Sequence, residues 1–140
     1  MKKTSLLLLL AVASVTSFAQ MKAGSKVFVE YEQTPGEVNA DATDITNMFI
    51  GKVIGYTSLD VVESKEEADF TLEFSLIEKN LGNRKGKVSV IDNKSSSIIF
   101  ESEKWQRGSP NAYNGMSGSR DCVGRLVKYH ILKAFPQTKK

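Results

Sequence analysis

The chain holds one cysteine, Cys122, and one histidine, His130, so a thiol nucleophile with an imidazole base has a single way of being assembled. Both fall in the last segment with helical periodicity, "SRDCVGRLVKYHILKAF" at 119–135. At a rise of about 1.5 Å per residue they stand roughly 12 Å apart along a helix axis, beyond hydrogen-bond reach. Cys122 lies on the apolar stripe and reads as a small buried hydrophobe. His130, four residues after Leu126 and three after Val127, reads as a partly buried, hydrogen-bonded side chain. A zinc site draws on several His, Cys or carboxylate ligands, and the supply of His and Cys is one each. Glu30 and Glu32 share a strand face, but outward acids at that spacing are ordinary. Asp41 and Asp44 suit the first turn of a helix, where unpaired N–H groups and the positive dipole end attract acids, better than they suit a metal. These residues predict no catalytic set, no metal and no cofactor.

Binding chemistry is better represented. "GMSGSRD" at 115–121 precedes the last helix, and backbone donors at a helix start can hold an anion. It lacks the Gly-Lys-Ser/Thr of a phosphate-binding loop and reads rather as an ordinary flexible lead-in to the helix. Trp105, Arg107, Tyr113 and Arg120 sit in or beside the aperiodic stretch 106–118. Aromatics interleaved with arginines stack on bases or anchor protein partners. Trp105 ends a strand, so its indole also has the simpler option of packing over a sheet edge. These four residues are the candidate binding site.

The first residues, "MKKTSLLLLLAVASVTSFAQ", read as a secretory signal peptide. Lys2 and Lys3 form the basic end, Leu6 to Val12 the apolar run, and Ser17-Phe18-Ala19 the small-residue cleavage motif. The apolar run is far below the ~20 residues of a membrane span. The expectation is cleavage near Ala19–Gln20, no lipid-bearing cysteine, a periplasmic or secreted protein, and no nucleic-acid partner. Residues 20–140 suit one domain, without a transmembrane segment. With Cys122 alone there is no intramolecular disulfide.

"KVFVEYE" at 26–32 alternates as a strand does, and "NADATDITNMFIGKVIG" repeats Ile45, Met48, Phe49, Val53 and Ile54 at helical spacing. Asp41 or Thr43 can cap that helix and Gly55 can stop it, while Gly51 inside it suits a close-packed strand. "LDVVES" at 59–64 is a second strand and Phe70 to Glu78 a third. "VSVID" at 88–92 and "SIIFESEKW" at 97–105 complete a meander. The charged corner Lys65 to Asp69 then separates adjacent strands, where charge resists burial and edge pairing. The last helix places Val123, Leu126, Val127, Ile131 and Ala134 on one stripe, with Ser119 or Asp121 as cap. The order predicts a single α+β domain: a mixed sheet of about five strands with two helices on one face.

Charge is uneven. Residues 20–80 carry 5 basic and 12 acidic residues, and residues 81–140 carry 12 basic and 4 acidic. In so small a domain the halves are expected to interleave and neutralise each other, the alternative being an acidic and a basic face.

"KVFVEYE" before a helix, "LDVVESKEEADFTLEFSL" with Ala68-Asp69 opening a long strand, and the hairpin "VSVIDNKSSSIIFESEKW" with Asp92 together resemble a bacterial envelope module. It is the small α/β domain of curli-assembly lipoproteins and of the amino-terminal part of the Tol-system translocation protein. Two departures are the missing lipid-modified cysteine and an Asn-Lys-Ser-Ser turn where Thr-Gly is usual. The resemblance implies a non-enzymatic, partner-binding envelope domain; the residues themselves offer an exposed strand edge or the 106–118 loop as the surface for another envelope or secreted protein. The resemblance assigns no functional residue. The alternative is a small-ligand, anion or glycan binder using that loop.

Overall fold

The computed structural model describes residues 20–33, 41–78, 84–108 and 115–140; the expected signal segment and Tyr113 lie outside them. Strand β1 (Lys26–Tyr31) leads to helix α1 (Ala42–Tyr56), then to a two-residue strand β2 (Asp60–Val61) and a 3-10 turn (Lys65–Glu67). Long antiparallel strands β3 (Phe70–Glu78) and β4 (Arg84–Asp92) are followed by β5 (Ser97–Glu101) and a short β6 (Gln106–Arg107). The chain ends in helix α2 (Gly115–Arg125), which continues as a π-helical segment (Leu126–Ile131) and a last α-helical turn (Leu132–Ala134).

The sheet order is β2-β1-β3-β4-β5, with β6 pairing the far end of β4. β1 runs parallel to β2 and β3; the remaining pairs are antiparallel. This is the mixed sheet with two helices that the patterning predicts. No helix among the described residues is long and apolar enough to cross a membrane.

Alternation decides which side of the sheet is covered. Val27, Val29, Phe70, Leu72, Phe74, Leu76, Val88 and Val90 are all at most 4% exposed and meet Ile45, Phe49 and Val53 of α1 and Val123, Leu126, Val127 and Ile131 of the last helix. Phe49 stacks on Phe74 with ring centroids 4.2 Å apart. Gly86 lets the last helix approach β4: a Cβ there would stand 2.8 Å from Leu76 Cδ2 and 2.9 Å from Leu126 Cδ1. Gly108 does the same for the start of that helix, since its Cβ would lie 2.7 Å from the Gly118 carbonyl oxygen.

Several local expectations are corrected. α1 is capped by Asp41, whose side chain accepts from Thr43 N at 2.7 Å, but the helix runs through Gly55 and ends where Thr57 donates to the Val53 carbonyl. Gly51 faces open space rather than a strand, and Ile54 is 52% exposed. β4 begins at Arg84, because Arg84, Gly86, Val88 and Val90 alternate inward. The last helix already includes Ser119, which is buried within it rather than capping it, and Ala134 is exposed. Nothing in the spacing signalled the π segment.

The sequence halves do not interleave. β2, β1, β3 and α1 all come from the acid-rich half, and β4, β5, β6 and the last helix from the base-rich half, so the two lie side by side. The parallel crossover places β3 at the outer side of β1, and every later strand then adds beyond it.

Candidate interaction surface

The charged corner makes structural contacts, but it joins β2 to β3, which lie on either side of β1, and does not link adjacent strands as the sequence order suggests. Asn93 Oδ1 accepts the Thr71 hydroxyl at 2.7 Å, and Asn93 Nδ2 donates to the Ala68 carbonyl at 3.1 Å. Asp69 Oδ2 accepts from Lys26 N at 3.3 Å. A groove of about 850 Å³ lies beside this corner, lined by both signs of charge, including Lys65, Glu66, Asp69 and Lys94.

Cys122 and His130 are each tied to Gln106. The Cys122 thiol donates to the Gln106 carbonyl at 3.2 Å, and His130 Nε2 lies 3.0 Å from Gln106 Oε1. Burial, with the Asp121 charge second, pushes the Cys122 thiol up to about 12, which suits a packed side chain and not a thiolate nucleophile. Burial first and Lys133 second hold the half-buried His130 below its ordinary value. Both residues thus serve to anchor β6 beneath the last helix.

The predicted loop 106–118 is shorter than its sequence suggests. Gln106–Arg107 pairs with Lys85–Gly86 of β4, and residues from Gly115 onward are helical. Of the four candidate residues, Tyr113 lies outside the described residues and the other three separate. Arg120 is exposed on α2 and lines a recess with Asp44, Asn47, Met48, Gly51 and Lys52 of α1, in the helix layer. Trp105 and Arg107 belong instead to the opposite side of the sheet. There Lys87 Nζ stands 4.8 Å from the Trp105 ring centroid, and Arg107 is the ladder partner of Lys85. Lys85 and Lys87 alternate with the inward Gly86 and Val88, so both point to the side that no described helix covers. Lys85 and Lys87 went unrecognised in the sequence because the strand was expected to start at Val88; the K-G-K alternation was the available signal.

The same uncovered face carries carboxylates. Glu30 of β1 and Glu73 of β3 are register partners, and Glu73 pairs with Ser89 of β4. Burial, then the charge and hydrogen bond of Glu32, then Glu30, push the Glu73 carboxyl above its ordinary value, while Lys65 pulls it down. Lys65 Nζ is 3.5 Å from Glu30 Oε2, but both side chains are about half exposed, so this pair adds little. Among the described residues neither Lys85 nor Arg107 forms an ion pair, and no His/Cys/Asp/Glu group there is arranged to hold a metal. Towards the corner the face turns apolar, with Phe28 and Ile91 half-buried and Ile98 60% exposed on the edge strand β5.

No family model and no curated protein matches the chain. Solved structures do. The chain is similar to the PelC dodecamer from Paraburkholderia phytofirmans in two crystal forms. A point variant aligns with a TM-score of 0.59 at 12% identity, over 80% of this chain and 91% of that one. The other form gives 0.54 at 13% identity over the same shares. A hypothetical protein from Chlamydia trachomatis aligns with a TM-score of 0.48 at 12% identity, over 80% of this chain and 96% of that one. The likeness to PelC is one of fold: a mixed sheet with helices on one side.

Proposed function

We propose that the chain is an exported, non-catalytic envelope domain that acts by assembling with protein, first of all with further copies of itself. The observation that carries this reading is the sheet face that no described helix covers, acidic on the β1–β3 side and cationic on the β4–β6 side. A domain of this size gains most of its stability from one sheet face, and a second face bearing aromatic and opposite charged groups is suited to recognition. The signal-like first residues and the resemblance to envelope modules support export, and the PelC dodecamer supports assembly of many copies of such a fold. A small anion or glycan held by the 106–118 loop is less well supported: residues 106–107 are strand and Arg120 faces the helix layer.

Sedimentation velocity on residues 20–140 across the micromolar range tests this. Concentration-dependent species heavier than the monomer are expected. A single monomeric species throughout, together with no reproducible protein crosslink in intact cells, would overturn it.

A further inference from the structure

Two charged clusters share one flat face, and their positions follow from the ladder. Glu30 and Glu73 stand on β1 and β3 with Glu32 just past the end of β1, while Lys85, Lys87 and Arg107 stand on β4 and β6. With neighbouring strands about 4.8 Å apart, the centres of the two clusters lie roughly 10 Å from each other across the sheet. Between them lie the short side chains of Ser75, which is buried, and Ser89, which is half-buried. Glu30, Glu32 and Glu73 stand close enough to interact, and burial first, then the Glu32 and Glu30 charges, hold Glu73 above its ordinary value, so added positive charge would favour its ionised form. The lysines and the arginine have no carboxylate partner among the described residues.

We infer that this face pairs with the same face of a second copy, the Glu30–Glu32–Glu73 cluster of each lying over the Lys85–Lys87–Arg107 cluster of the other. The inference rests on the assembly reading above and specifies its surface. A two-fold axis in the plane between the two copies, perpendicular to the line joining the cluster centres, brings each cluster onto its opposite, so a single flat face satisfies both at once. Facing sheets stand about 10 Å apart, a gap that glutamate and lysine side chains span from either side. Trp105, with Lys87 over its ring, sits beside the cationic cluster where an interface aromatic contributes most when water is excluded. A surface of one sign would point to an external partner; a surface carrying both signs at this spacing complements itself.

The test is charge reversal followed by mixing. Lys85→Glu with Lys87→Glu makes the two clusters largely acidic, with Arg107 the remaining cation, and Glu30→Lys with Glu73→Lys makes them largely basic. By sedimentation velocity and native mass spectrometry, each reversed protein is expected to lose the two-fold species, and an equimolar mixture to regain it as a hetero-pair. Circular dichroism checks folding. Should a reversal unfold the chain, Lys85→Ser with Lys87→Ser and Glu30→Gln with Glu73→Gln are each expected to weaken association about tenfold or more, that is by at least about 1.4 kcal/mol. Reversed proteins that associate like the wild type, or that stay apart on mixing, would overturn this surface while leaving assembly intact. A monomeric wild type would remove the assembly reading itself.

Discussion

The two faces of one sheet are made from alternate residues of the same strands, yet they do different work. On the covered face Val27, Leu72, Phe74, Leu76 and Val90 vanish beneath two helices, with Gly86 setting the contact distance. On the other face Glu30, Glu73, Lys85, Lys87 and Trp105 stay half-buried, with no described helix above them. The contrast separates what holds the fold from what the fold presents. Because the β1–α1–β2 crossover and the meander occupy adjacent halves, the charge asymmetry of the sequence becomes an asymmetry in space.

Substitutions should sort by face. The largest effect is expected for Phe74→Ala, which removes a ring stacked on Phe49 and beside Tyr31; a loss of roughly 3–5 kcal/mol in denaturant unfolding follows from cavity formation. Lys87→Ser on the uncovered face should stay within about 0.5 kcal/mol of wild type, and equal losses would erase the distinction. Next comes Gly86→Ala, whose methyl would press on Leu76 and Leu126; overpacking should cost roughly 1–3 kcal/mol. A gain is expected at Gly51→Ala, about 0.5–1 kcal/mol, because the site opens on free space and alanine is the better helix former.

The smallest effect is a pH slope. The Glu73 carboxyl is held above its ordinary value in the folded chain, so its contribution is present in full below the unfolded value and is lost as pH rises through the folded one. Glu73→Gln should therefore flatten the melting temperature between mildly acidic and neutral pH and raise it at the neutral end. A steeper slope in the variant would contradict the carboxylate crowding.

Much of this fold was legible in the sequence. Period-two runs from Lys26 and from Phe70, and the helical stripe through Cys122, Leu126 and Ile131, place the buried face directly, since burial follows the alternation that the residue types display. The extension of β4 to Arg84 and the pairing of β6 were not legible. "RKGK" looks like a polar turn until Gly86 is seen to lie under Leu126, and two residues of β6 carry no periodicity. The binding candidates were only partly legible for the same reason. Trp105 and Arg107 reach the uncovered face through β6, whereas Arg120, close in sequence, is carried into the helix layer. Residues 105–107 lie at the sheet and Arg120 in the helix layer, so proximity along 105–120 in sequence is not proximity in space.

The central claim is that the uncovered face carries the interaction. Amine labelling of residues 20–140 as a function of protein concentration, read by mass spectrometry, tests it residue by residue. The account predicts that Lys85 and Lys87 become protected as concentration rises, while Lys52 and Lys128, which flank the Tyr56 ring on the helix layer, label at an unchanged rate. Protection confined to the helix-layer lysines, or none at any concentration, would contradict it.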